Sequence, residues 1–114
     1  MTTSTRPALT ASPAWQALAA HAAALRGRSI AALMAADPER MRRFTVDAAG
    51  LHADCSKHLA DADTLTLLAR LAAQQGVMEW RERMFSGAPI NHTEQRAVLH
   101  VALRRPLDTA PAEV

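Results

Sequence analysis

The segment Arg43–His58, RFTVDAAGLHADCSKH, decides the fold class, because a helical sequence changes its period here. Apolar and polar residues alternate from Phe44, and a second alternating run begins at Leu51. The dipeptide Ala49–Gly50 separates the two runs. This pattern predicts a β-hairpin near residues 44–57. A hairpin alone is marginal in water, so we expect it to lie on helices or to join a larger sheet.

Helix signals flank the hairpin on both sides. Ser12-Pro13 and Asp37-Pro38 are each typical of a helix cap and first turn, Ser29 is suited to a cap, and either Asp61 or Asp63 is suited to the cap of the fourth helix. Glycine is typical of a helix stop. These signals predict five helices, at about Pro13–Arg26, Ile30–Ala36, Glu39–Arg43, Thr64–Gln75 and Val77–Phe85. In the fourth, apolar residues at helical spacing predict a buried stripe of Leu65, Leu68, Ala69 and Ala72, with Leu67 and Leu71 beside it.

A sixth helix is predicted for INHTEQRAVLHVALR, Ile90–Arg104. Asn91 is suited to the N-cap position, and Glu94 follows at the third helical position, as in a capping box. Alanine, valine and leucine cover nearly every side of this helix. A helix that is apolar on most sides is a buried one.

The polar stripe of this last helix consists of Arg96, His100 and Arg104, each four residues from the next. One interpretation is an anion site, although phosphate usually binds at a helix N-terminus rather than along its side. A nucleic-acid surface is another, but no aromatic side chains interleave the arginines. We favour a structural role, in which other segments supply the acceptors that buried cations require.

The composition indicates one small domain. The chain has 114 residues and a net charge of +2, which does not argue for nucleic acid or an anionic membrane as a partner. No apolar run approaches the roughly 20 residues of a membrane helix, and the N-terminus has no secretory signal. We expect a soluble cytoplasmic protein. Alanine is abundant and large side chains are few, so the core should be thin.

The two ends of the chain are expected to differ from its middle. Residues 1–11 are small and polar, and we expect them to be disordered. Residues 12–105 form the helical segment, and residues 106–114 resemble a truncated continuation into another element.

His52, Cys55 and His58 bring potential metal ligands together in seven residues. Their spacing matches no standard zinc pattern, and on a strand His52 and Cys55 point to opposite faces. A nucleophilic Cys55 would need a nearby base, which the sequence does not identify. We therefore assign no metal, no cofactor and no catalytic residue, and interpret Cys55 as a small inward side chain.

The segment Met84–Arg104, MFSGAPINHTEQRAVLHVALR, resembles the pattern MFxGxxINxTExRAVLHxALR of the glucose-6-phosphate isomerase (phosphoglucose isomerase) family. The resemblance extends to PAWQAL at Pro13, to the region Asp37–Phe44, and to GLHADCSKH. Three positions depart from the family pattern: Cys55 replaces Tyr, His58 replaces Asn, and Gln95 replaces a common Gly.

The resemblance implies an N-terminal helical segment of an α/β sugar isomerase of the SIS type. Such an enzyme interconverts glucose 6-phosphate and fructose 6-phosphate in glycolysis and gluconeogenesis, through a cis-enediol and with a glutamate base. It uses no cofactor and works as a cytoplasmic homodimer. The family's catalytic motifs lie in later segments, so we expect this chain alone to be inactive. The alternative is a free-standing helical module that binds an anionic partner through Arg96, His100 and Arg104.

Overall fold

Five α-helices and one β-hairpin account for the main regular structure of residues 8–104 and 106, which a computed structural model describes. Their bounds are α1 Pro13–Leu25, α2 Ile30–Ala36, α3 Arg40–Arg43, β1 Thr45–Ala48, β2 Leu51–Asp54, α4 Ala62–Gln74 and α5 Val77–Phe85. The mainly helical fold with one hairpin is thus confirmed. The chain divides into two units after Leu71, within α4. Of the residues described, none belongs to a helix long and apolar enough to cross a membrane.

The first helices begin at the caps that the sequence predicts. The Ser12 hydroxyl accepts a hydrogen bond from the Trp15 amide at 3.3 Å, and the Ser29 hydroxyl accepts one from the Ala32 amide at 3.1 Å. Before α1, residues Leu9–Ala11 form a 3₁₀ turn within the segment expected to be disordered. The remaining part of that expectation, residues 1–7, and most of the continuation at 106–114 lie outside the described residues.

The hairpin has the predicted position and a tight two-residue turn. Ala49 and Gly50 both have positive φ, 51° and 75°, as in a type I′ turn, whose twist matches that of paired strands. The strands pair antiparallel in the register Val46↔Ala53 and Ala48↔Leu51. Successive side chains point to opposite faces, so these four apolar residues share one face.

This apolar hairpin face, Val46, Ala48, Leu51 and Ala53, is exposed. Val46 keeps 61% of its surface accessible and Leu51 keeps 74%. Of the two expectations for the hairpin, packing on helices and joining a larger sheet, neither is met among the described residues. The first two helices are rich in alanine, so they present little large apolar surface that could cover it.

The core of the first unit is small, as the composition predicts. Among the described residues, the fully buried apolar side chains are Leu25, Leu33 and Phe44. Arg40 is also buried, with 2% of its surface accessible, and its guanidinium lies 4.4 Å from the centre of the Phe44 ring. A cation over an aromatic face is favourable, so the contact between Arg40 and Phe44 adds to the stability of this small core.

The buried side of α4 differs from the prediction. Leu65 and Leu68 are 43% and 46% accessible, whereas Leu67 and Leu71 are less exposed. Both sets have helical spacing, and periodicity alone does not tell which leucine row faces the protein.

In the second unit, Gly76 separates α4 from α5 in the left-handed conformation, with φ 67°. Glycine adopts this conformation without steric cost, and it allows one helix to end and the next to begin at once. On α5, Arg83 stacks over the Trp80 ring at 4.7 Å. The predicted bounds of α5 are confirmed.

The sixth predicted helix, over residues 90–104, is wrong. Asn91 and Arg96 instead pair through their backbones, with Asn91 N–H donating at 3.1 Å and Arg96 N–H donating at 3.3 Å. A turn lies between them, and regular structure returns only as the 3₁₀ turn Ala102–Arg104. Gln95 has a φ of 54°, which breaks the helical path. Leu103 is 86% accessible, so the segment is not the buried helix that its apolar composition predicted.

Candidate functional site

The side chain of Arg40 binds the backbone of the loop at residues 55–60. Its Nε donates to the carbonyl of Ser56, its Nη2 to that of His58 and its Nη1 to that of Ala60, each at 2.7 Å. The guanidinium carries several donors in a fixed planar arrangement, so it can satisfy three diverging carbonyls at once. These three bonds compensate for the burial of the charge.

The elements around Arg40 explain how it reaches this position. The Asp37 carboxylate accepts a hydrogen bond from the Glu39 amide at 3.2 Å and starts the turn that leads into α3. After α3, the Phe44 carbonyl accepts a hydrogen bond from the Cys55 amide at 2.9 Å, which continues the hydrogen-bond ladder of the hairpin. Arg40 therefore lies beside the end of the hairpin, where the loop begins.

The potential metal ligands of this loop are not brought together. The His52 Nδ1 lies 2.6 Å from an Asp47 carboxylate oxygen on the hairpin, while Cys55 is half-buried and His58 is exposed. Over the part of the chain that the structure describes, no group of three His, Cys, Asp or Glu side chains could hold a metal ion.

Asp54 secures the other side of the loop. The nearby hydroxyl and backbone amide of Ser56 hold the pKa of the Asp54 carboxyl below its ordinary value. Of these two groups, the amide makes the well-aligned contact, donating to Asp54 Oδ1 at 2.8 Å, whereas the buried hydroxyl has no aligned partner among the described residues. The loop 55–60 is thus fixed from Arg40 and from Asp54.

His21, Asp61 and Thr64 form a second polar cluster, which links α1 to the start of α4. His21 Nε2 lies 2.9 Å from Asp61 Oδ1 and 3.0 Å from Thr64 Oγ1. A catalytic relay needs the two imidazole nitrogens to contact different partners. Here one nitrogen contacts both, and the Thr64 hydroxyl itself donates to Asp61 at 3.0 Å. The arrangement suits helix capping rather than nucleophilic catalysis.

The same cluster sets the charge state of Asp61. Burial raises the pKa of Asp61, but hydrogen bonds from the Thr64 amide and hydroxyl, together with the His21 ring, outweigh it and lower the pKa below its ordinary value. Asp61 and Thr64 also exchange bonds as a capping box does, with the Thr64 amide donating to Asp61 and the Asp61 amide donating to Thr64 Oγ1, both at 3.0 Å. Of the two predicted caps, Asp61 and Asp63, the structure selects Asp61.

The cationic residues Arg96, His100 and Arg104 do not form a row, because the helix that would align them is absent. Arg96 donates to the carboxylate of Glu94, and Arg104 Nη1 donates to the carbonyl of His100 at 3.1 Å. Arg96 and His100 border a cleft of about 370 Å³, and Arg104 does not. An anion site needs convergent cations that are not already neutralised. The alternative function as an anion-binding helical module is therefore not supported.

Comparison with known proteins identifies the family. The sequence profile of the family described as phosphoglucose isomerase matches residues 54–112, more than half of the chain. The chain belongs to the phosphoglucose isomerase family. The matched part of this phosphoglucose isomerase sequence begins at Asp54 and includes the loop that Arg40 holds.

Curated relatives agree with this assignment. The chain is 51% identical over 98 residues to glucose-6-phosphate isomerase of Nitrosospira multiformis, covering 86% of this chain and 18% of the relative. It is 52% identical over 99 residues to the Deinococcus deserti protein of the same name, covering 87% of this chain and 18% of the relative. It is 47% identical over 108 residues to the Streptomyces griseus protein of that name, covering 95% of this chain and 20% of the relative. The chain thus spans about a fifth of the length of these relatives.

The structure accounts for the glycine that Gln95 replaces in the phosphoglucose isomerase pattern, and for the tolerance of His58. Gln95, at a position where the family commonly has glycine, adopts the left-handed conformation that glycine adopts most easily. His58 contributes its carbonyl, not its side chain, to the bond with Arg40. The structure offers no account of the third departure, Cys55.

Two polar features were missed by sequence reasoning. The sequence analysis gave no role to Arg40 or His21, because their partners lie 16 to 20 and 40 to 43 residues away. A usable signal for Arg40 was present. Arg40 and Phe44 are four residues apart on a short helix that follows Asp37-Pro38, a spacing that puts both side chains on one face.

Proposed function

We propose that this chain is the helical N-terminal segment of a glucose-6-phosphate isomerase, an α/β sugar isomerase that interconverts glucose 6-phosphate and fructose 6-phosphate. The observation that carries the proposal is the 51% identity to the Nitrosospira multiformis enzyme over 86% of this chain. The whole enzyme acts on a sugar phosphate, in the cytoplasm and as a homodimer, as the family resemblance implies.

Within that enzyme, the segment serves as scaffold and supplies no catalytic side chain. Its buried cation, Arg40, donates hydrogen bonds to three backbone carbonyls, and the exposed Arg96 is paired with Glu94. His21 is occupied by a helix cap. As the family resemblance implies, the glutamate base and the phosphate-binding groups come from later segments of the enzyme.

A chimeric enzyme tests the proposal. In the Nitrosospira multiformis isomerase, the 98 matching residues are replaced by those of this chain. We expect the chimera to convert fructose 6-phosphate, as followed by coupling the product to glucose-6-phosphate dehydrogenase, and to sediment as a dimer. The purified 114-residue chain should show no turnover in the same assay.

Two results would refute the proposal. A chimera that folds but has no isomerase activity would show that this chain does not replace its relative's segment. Turnover by the 114-residue chain alone would contradict the scaffold role. The catalytically inactive relative with its glutamate base replaced serves as the negative control for contaminating isomerase.

A further inference from the structure

The hairpin has one apolar face and one polar face. Its apolar face is Val46, Ala48, Leu51 and Ala53, while the opposite face carries the hydrogen bond between Asp47 and His52 at 2.6 Å. An antiparallel sheet with this alternation usually packs its apolar face against a core. Here that face is exposed, with Val46 61% and Leu51 74% accessible.

The hairpin is anchored so that this face keeps its direction. The buried Phe44 precedes β1, and its carbonyl accepts a hydrogen bond from Cys55, which follows β2. Arg40 lies over the Phe44 ring and holds the loop after β2 by three bonds. Both ends of the hairpin are thus held beside the buried residues Arg40 and Phe44.

We propose that the apolar hairpin face is a docking surface for the remainder of the isomerase chain. More than four-fifths of the length of the Nitrosospira multiformis relative lies outside the part that this chain matches. That remainder has to contact this segment if the two are to form one enzyme, and a two-stranded hairpin needs such packing to be stable. This inference rests on the proposed function.

Hydrogen exchange of the strand amides tests the inference in the chimera and in the isolated chain. If the face is covered, the amides of residues 45–54 should exchange on the order of tenfold or more slowly in the chimera than in the isolated chain. Replacing Val46→Thr and Leu51→Thr together keeps strand propensity but removes apolar surface. This pair should restore fast exchange in the chimera and leave the isolated chain unchanged, since its face is already exposed.

A matched pair on the other face provides the control. Asp47→Thr and His52→Thr introduce the same two side chains on the same strands, but towards solvent. The chimera with this pair should keep its slow exchange. Equal exchange in chimera and isolated chain, or equal effects of the two threonine pairs, would overturn the inference.

Further outcomes separate this inference from its alternatives. An active chimera whose hairpin is unprotected would overturn the docking surface but not the proposed function, whereas an inactive folded chimera would remove the basis of both. If the isolated chain sediments as a dimer that the Val46→Thr and Leu51→Thr pair disrupts, the occupant of the face is a second copy, and the inference is wrong.

Discussion

Replacing Arg40 by methionine should destabilise the first unit by about 3 kcal/mol. Loss of a partner leaves a buried carbonyl unsatisfied at a cost of about 1–3 kcal/mol. The Ser56 carbonyl bond is buried and should incur the full cost, while the bonds at His58 and Ala60 are part-buried, so water can replace some of what is lost. Methionine retains packing against the Phe44 ring, so the change removes the three hydrogen bonds and the charge over the ring with little change in volume.

Urea unfolding of the 114-residue chain, followed by circular dichroism, measures this loss. Small domains are stable by about 5–15 kcal/mol, and a core this thin should place the chain at the low end, so the midpoint should fall by roughly half. Hydrogen exchange at residues 55–61 should accelerate first, because the loop loses its anchor. Arg40→Lys should be intermediate, since a compact ammonium cannot span three diverging carbonyls.

The neighbouring Arg42→Met provides the control for this prediction. The Arg42 side chain is 78% accessible and bonds Glu39 at 2.7 Å, an exposed pair worth at most about 1 kcal/mol. If Arg40→Met and Arg42→Met shift the urea midpoint equally, the bonds from Arg40 do not stabilise the fold and the reasoning is refuted.

Three further changes test local features. Ala49→Asn should stabilise the hairpin by a few tenths to about 1 kcal/mol, because asparagine tolerates the left-handed conformation; no slowing of strand exchange relative to Ala53→Asn would count against it. Gln95→Gly should stabilise its turn by about 0.5 kcal/mol, since relief of about 1 kcal/mol of strain is partly offset by chain entropy; equal urea midpoints for Gln95→Gly and Gln95→Ala would contradict this. Because the pKa of Asp61 is lowered in the folded chain, its stabilisation is present above the ordinary value of 3.8 and is lost as pH falls through the folded value. Asp61→Asn should flatten the fall in urea midpoint below that pH, and an unchanged slope would exclude the cluster as its cause.

Local signals predicted the helices and the hairpin well, because their causes are local. Ser12 and Ser29 cap the helices that follow them through bonds spanning three residues, and the strands alternate with period two. The contacts of the polar side chains were not predicted where their partners are distant in sequence. No local pattern pairs Arg40 with carbonyls up to twenty residues away or directs His21 to the start of α4.

The failure at residues 90–104 has a different cause. The Asn91 carboxamide oxygen does accept a hydrogen bond from the Glu94 amide, at 3.2 Å, as the capping box predicts. That contact closes a turn as readily as it starts a helix, and the backbone pairing of Asn91 with Arg96 completes the turn. The apolar residues that follow would favour a helix only if a surface covered them, and Leu99 and Leu103 are 43% and 86% accessible. Their helical pattern is therefore uninformative in this chain.

The grip of Arg40 on the loop has an evolutionary consequence. Its three acceptors are carbonyls at alternate residues, 56, 58 and 60, so it recognises the course of the main chain and not the identity of any side chain. Residues such as Lys57 and His58 are consequently free to drift, and His58 can stand where related sequences have asparagine without altering the path of the loop. Inserting or deleting one residue there would put the carbonyls out of step with the guanidinium. Selection should therefore preserve the length of this loop more strictly than its amino-acid sequence.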